Sequence, residues 1–444
     1  MSFIKNSTGC FKSELDVFLT NPTNTSILKS NVTIYPTHTP LDGNEDQFII
    51  EVPPNSEYID PAGIFLEVDV KIPAINAKLK TPDPSDDKKV IESDYEISLI
   101  NNFAQSLFRM IELAVGTGLK KYTIEAENFY PYMSYLSNLL NCPEDIKKSW
   151  LRLGMWEADT PGKWADFTDN QGFKKRLDIF TNKGTKDTCK FIIPLNLSFL
   201  QSNRLLLSRF GLTFTFKATD DKFLLMGKHY ERFHVKIMKA KLHVRRCSIN
   251  PSIISAHQSV LQNSPAKYPI KQQKIFVSPI EKGRREFTPP TFLQAFPTQL
   301  VVCMVRDSAF IGDKHSPWNF EHFNLSKITL THDSTEIVQH INPAKMDCVE
   351  AYHNLQQSLN LYNKGSNGIT QEDFLGGSAI YIFNLDPDKG CEEQFNQVKT
   401  GNLSLKLEFD TDTPELIRMI CYMTFDNQLN LDNEGNAYYD YHLN

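Results

Sequence analysis

No run of 18 apolar residues occurs in this 444-residue chain, so it offers no candidate for a membrane-crossing helix. The opening "MSFIKNSTGCFKSELDVF" has no continuous apolar segment, and no signal peptide is expected there. G-x-S-x-G, H-E-x-x-H and G-x-x-x-x-G-K-[ST] are all missing. That removes the nucleophile elbow, the zincin helix and the P-loop. The Gly-rich "VGTGLKK" (115–121) follows a strand into a hairpin-like turn, whereas a phosphate cradle must open a helix. The eleven histidines are scattered. His229 and His234 do not share a strand face, and neither the pair His315 and His322 nor the pair His332 and His340 has metal-ligand spacing. The acids Asp220–Asp221 and Asp410–Asp412 match no calcium loop, and acids in turns need no ligand. Neither a cofactor nor a catalytic activity is expected.

Basic excess is also lacking. With 47 basic against 53 acidic residues the chain carries −6, unlike a protein whose main task is to coat nucleic acid. The eight cysteines, at 10, 142, 189, 247, 303, 348, 391 and 421, form no C-x-x-C pair. Their wide scatter suits free thiols in a large intracellular protein better than a disulfide framework.

What the chain does have is aromatic residues, 30 Phe and 16 Tyr, of the kind that fill strands and sandwich cores. Apolar residues recur at period two in "FIIEVPP" (48–54), "GIFLEVDVKI" (63–72), "SLFRMIELAVG" (106–116) and "LTFTFKA" (212–218), which predicts strands. In "FHVKIMKAKLHVRR" (233–246) the inward set changes parity between Ile237 and Ala240, which predicts a β-bulge. "YPYMSYLSNLLN" (130–141) and "VEAYHNLQQSLN" (349–360) have helical spacing, and "PSIISAHQSVLQNSPA" (251–266) reads as a helix opened by proline. Residues 1–45 read as an extended arm and the charged stretch 78–94 as an exposed loop. Residues 142–188, with Trp150, Trp156 and Trp164, form a connection too long to be plain, and a structured insertion is expected.

The phrase "GLTFTFKATDDKF" (211–223) returns as "NLSLKLEFDTDTPEL" (402–416). It is one of five signals that recur in the same order: a strand, a helix, then three further strands. A repeat of this length is a domain duplication rather than a solenoid. Several strands, one inserted helix and long connections in each half indicate an all-β fold with a few short helices, built as two tandem antiparallel β-sandwiches of jelly-roll topology. The expected boundaries are an arm at 1–45, a first roll at 46–249, a connector helix at 250–266, a second roll at 267–432 and a tail at 433–444.

Phrases along nearly the whole chain resemble the double jelly-roll major capsid proteins of Polinton/Maverick elements and adintoviruses. They are "SELDVFLTNPTNTSILKSNVTIYPTHTPLDGNEDQFIIEVPPNSEYIDPAGIFLEVDVKI" (13–72), "SINPSIISAHQSVLQNSPAKYPI" (248–270), "AFIGDKHSPWNFEHFNL" (309–325), "ITQEDFLGGSAIYIFNLDPD" (369–388) and "GNLSLKLEF" (401–409). The resemblance implies a homotrimer of pseudo-hexameric outline that tiles an icosahedral shell around double-stranded DNA. It also implies contacts with neighbouring capsomers, a single jelly-roll penton protein as partner, and a place in a virion assembled inside the host cell. Trp150, Trp156 and Trp164 would then be inter-subunit residues. Residues 228–246 form the most basic stretch of the chain. Upright rolls would bring Lys239, Lys241, Arg245 and Arg246 near the inner surface, for weak, sequence-independent phosphate contact. The rival readings are a carbohydrate-binding or attachment module, using aromatics such as those in "SWLRLGMW", and a β-sandwich hydrolase with paired carboxylates.

Overall fold

The computed structural model describes residues 13–441 without 16, 19, 74–77, 84–85, 95–96, 118–119, 165, 167, 182–187, 291–295, 314, 333–334, 346, 360–364, 388–394, 396–400 and 402; of 78–94 it describes the backbone. In the first half the strands are β1 (Ile27–Pro36), β2 (Gln47–Val52), β3 (Tyr58–Lys71), β4 (Lys78–Asp83), β5 (Asp86–Asp94), β6 (Ile97–Leu99), β7 (Phe108–Thr117), β8 (Lys120–Asn128), β9 (Thr188–Pro194), β10 (Gly211–Ala218), β11 (Leu225–Gly227) and β12 (Lys236–Ile249). The second half has β13 (Ala266–Ile280), β14 (Glu286–Phe287), β15 (Gln299–Arg306), β16 (Leu325–His332), β17 (Thr335–His340), β18 (Ile380–Asn384), β19 (Leu403–Phe409), β20 (Ile417–Leu431) and β21 (Ala437–Tyr439).

Four of these sheets make two sandwiches with the same wiring. The first pairs β1-β12-β3-β9 in one sheet and β2-β10-β7-β8 in the other. The second pairs β13-β20-β15-β18, with β21 added on β20, and β14-β19-β16-β17. Counted within its own roll, each has its strands in the order 1-8-3-6 and 2-7-4-5, which is jelly-roll topology. The five recurring sequence signals occupy corresponding places: β7 and β16, the helices Tyr130–Asn141 and Val349–Ser358, then β9 and β18, β10 and β19, β12 and β20.

Local chemistry explains the strands. In β10, Leu212, Phe214 and Phe216 are buried, while Gly211, Thr213 and Thr215 line the more open face. The predicted bulge is present: the β12–β3 register shifts between Ile237 and Lys239. The helix Pro251–Leu261 starts where proline costs no hydrogen bond, and the Asn250 side chain accepts from the Ser252 N–H to cap it.

Two expectations need correction. Residues 27–36 of the supposed arm are strand β1, paired with β12 from Ile27↔Ile249 to Pro36↔Lys241. Nearly all of β1 is exposed, so it carries no period-two signal. In the stretch 78–94, Lys78–Asp83 and Asp86–Asp94 pair as strands β4 and β5 instead of forming a plain loop. The insertion at 142–188 carries the helices Glu144–Lys148 and Gln171–Thr181 and a 3₁₀ turn at Trp150–Gly154.

The two rolls share one hydrophobic core. Trp318, from the second roll, is fully buried. Its indole N–H donates to the Asn101 carbonyl at 2.8 Å. Its ring stacks on Tyr135 at 4.2 Å and 4° and meets the edges of Tyr132 and Phe223. Trp156 stacks on the other side of Tyr135 at 5.1 Å. Trp318→Ala removes this ring and one buried hydrogen bond, and should cost about 3–5 kcal/mol. Denaturant unfolding followed by circular dichroism checks it, and a loss below about 1 kcal/mol would contradict the packing described.

Candidate assembly surfaces and placement of the expected site residues

The basic strand β12 lies between β1 and β3, and its outward row meets acids. In register, Lys239 faces Asp69 and Lys241 faces Glu67. Glu67 also takes Lys190 at 2.8 Å and His243 at 2.9 Å. The hydrogen bond from Lys190, then that from His243, holds its carboxyl below the ordinary value. Arg245 is half exposed and pairs with Asp60 at 2.8 Å. The candidate cations therefore lie on a face that largely neutralises itself.

Arg246 points the other way and is buried, with 1% of its surface accessible. Its guanidinium donates to the Tyr35 hydroxyl at 2.7 Å, Asn55 Oδ1 at 2.7 Å and the Pro53 carbonyl at 2.6 Å, and it lies over the Tyr35 ring at 5.5 Å. This corrects the expectation that it faces nucleic acid. A buried guanidinium needs acceptors, and two segments far away in sequence supply them. Arg246 joins β1, β12 and the turn after β2.

The tryptophans divide in the same way. Trp150 is half exposed and stands against Phe65 at 5.9 Å. Trp156 and Trp164 are buried within the chain instead of standing on its outer surface. The Trp164 indole donates to the Gly376 carbonyl at 2.5 Å, which ties the first-roll insertion to the second roll. Gly377, at φ 120°, must be glycine: a Cβ there would lie 2.0 Å from Trp164 Nε1. Ile146 and Leu153 of the insertion, Ile192 of β9, and Val32 and Ile34 of β1 at the sheet's opposite edge are also exposed.

Buried polar groups lie near the junction of the rolls, Glu125 bonded within the first roll and Glu127 paired across to the second. Glu125 of β8 accepts the backbone N–H groups of Ser198 and Phe199 at 2.7 and 2.6 Å. Burial pushes its carboxyl up to about 7, and neighbouring Glu127 adds to the rise. Glu127 is raised by burial against the opposing pull of Lys274, its ion-pair partner on β13. A cleft of about 540 Å³ between the rolls is lined by Trp156, Lys147, Arg152, Glu157 and Asp373. Its charges are mixed, and Lys147 is occupied by the carbonyls of Leu139 and Asn367. Burial moves the Lys147 ammonium down to about 8.

Histidines lie beside turn acids, His234 with Asp221 at 2.8 Å and His315 with Asp313 at 2.9 Å. Among the described residues no group of three His, Cys, Asp or Glu side chains could hold a metal. The six described cysteines are free; Cys10 and Cys391 lie outside the described residues.

This wiring defines the class as a double jelly roll. No family model matches the chain. An uncharacterised protein of Caenorhabditis elegans is 23% identical over 348 residues, spanning 75% of this chain and 79% of that protein. Among solved structures, a chain of the Sputnik virophage superposes with a TM-score of 0.66 at 12% identity, over 98% of this chain and 93% of that one. The mavirus major capsid protein gives 0.53 at 12% identity over 99% and 93%. The Faustovirus major capsid protein gives 0.56 at 8% identity over 96% and 93%. The fold is that of these capsid proteins.

Two predictions follow the geometry. Arg246→Gln strands buried acceptors and should cost about 2–4 kcal/mol, whereas Arg245→Gln loses only an exposed pair and should stay within about 1 kcal/mol. Chemical denaturation of both variants separates them, and equal losses would contradict the burial of Arg246. Glu125 gives a pH dependence. Its folded value lies above the ordinary 4.5, so its stabilising contribution is full below about 4.5 and is lost as pH rises through about 7. Glu125→Gln should gain melting temperature relative to wild type between pH 5 and pH 8, and parallel profiles would contradict this.

Proposed function

We propose that this chain is a major capsid protein of the Polinton/Maverick, adintovirus-like kind. In this reading it forms homotrimers of pseudo-hexameric outline that tile an icosahedral shell around double-stranded DNA. The observation that carries the reading is the identical strand order of the two rolls in one rigidly joined chain. Two like-shaped flanks per chain become six in a threefold assembly, which suits hexagonal packing. The family-like phrases along the sequence support this kind. The exposed apolar residues around Trp150 and Ile192 suit burial between subunits.

The partners proposed are other copies of this chain, neighbouring capsomers and a single jelly-roll penton protein, within a virion capsid assembled inside the host cell. Contact with packaged DNA would fall to Lys239, Lys241 and Arg245, since Arg246 is enclosed. With Lys241 and Arg245 already facing carboxylates, that contact would be weak and salt-sensitive.

The test is sedimentation of the purified full chain at micromolar concentration with negative-stain imaging. A species three times the 50.9 kDa chain mass, with hexagonal outline, is expected. A stable monomer that binds sugars or turns over a substrate would overturn the reading.

A further inference from the structure

An apolar groove of about 540 Å³ opens beneath the connector helix Pro251–Leu261. Ile27 at the start of β1, Leu205, and Ile253 and Val260 of the helix provide its apolar lining. Val260 is 62% exposed, so a broad apolar surface stands open. Among the described residues the charged side chains around it are Arg204 and Lys267, with His257 beside them, and no Asp or Glu lines it.

The arm just upstream has the complementary chemistry. Residues 13–18 read Ser-Glu-Leu-Asp-Val-Phe, which interleaves two acids with three apolar residues. Leu15, Val17 and Phe18 are exposed by 65%, 73% and 96%. Their own groove, whose rim includes Ser26 of the same chain, is therefore not filled by them. The exposed Leu15, Val17 and Phe18 and a basic, apolar groove that is open among the described residues recur in every copy of the chain.

We infer that residues 13–18 of one copy dock in the connector-helix groove of a second copy. Leu15, Val17 and Phe18 would cover the apolar lining, while Glu14 and Asp16 would approach Arg204 and Lys267. Reciprocal exchange of such segments links subunits through a short peptide and removes exposed apolar surface from both sides at once. The inference rests on the chain being a self-assembling shell subunit, and it names a contact that reading leaves open.

The test mixes full-length Phe18→Cys chains with full-length Val260→Cys chains under assembly conditions, followed by mild oxidation and non-reducing electrophoresis. Both substituted positions are exposed, so folding should be unaffected. A cross-linked dimer is expected in the mixture, beyond the background from native thiols in either variant alone, and mass spectrometry should join peptides containing positions 18 and 260. Adding Lys267→Glu to the Val260→Cys chain should lower the yield severalfold. If trimers or shells form but no 18–260 link appears, this inference fails while the proposed function stands. Monomers under all conditions would sink the proposed function with it. A double variant that links within one chain at high dilution as readily as in the mixture would overturn the exchange between copies.

Discussion

Each roll closes by bringing the last strand of its chain segment between the first and the third. In the first roll β12 must find β1 across roughly two hundred residues, and in the second β20 pairs with all 15 residues of β13. Backbone donors and acceptors buried in a sandwich must be paired, and only this return pairs them along the middle of the sheet. The remaining features accommodate the closing strand. The bulge at Ile237–Lys239 keeps its apolar side chains inward, Arg246 fastens it to β1 and the turn after β2, and the connector helix starts directly beyond Ile249.

The rolls are held together by a different kind of contact. Trp156, Tyr135 and Trp318 form a column of rings that crosses from one roll to the other. Trp164 and Tyr439 extend the join with hydrogen bonds to main-chain carbonyls of Gly376 and Ile124. Aromatic stacking fixes distance and orientation together, so the two sandwiches are oriented as well as attached.

Much of the fold was legible because most core strands bury one face, and burial on one face writes a period of two. β3, β10, β12 and β19 could be read that way, and a slip in parity located the bulge. β1 escaped because it is exposed along nearly its whole length, and the β4–β5 pair because its residues are mostly charged. The candidate residues were harder to place. Arg246 looks like any solvated arginine in a basic run, and its acceptors at Tyr35, Pro53 and Asn55 lie about 190 to 210 residues away. The destination of Trp164 depends on a carbonyl 212 residues further along. Pattern within a window cannot register a partner at that distance.

The ring column also sets an order of events during synthesis. Tyr132, Tyr135 and Phe223 belong to the first roll, but the indole that covers them is residue 318. A nascent chain can close β1 on β12 once residue 249 has left the ribosome, while its aromatic flank stays open for another seventy residues. During that interval the half-made subunit exposes a sticky face of large rings, alongside other chains of the same kind. Slow, non-local pairing within each sandwich lengthens the exposure. The Trp318 loop covers those rings and ends the most aggregation-prone stage of the chain.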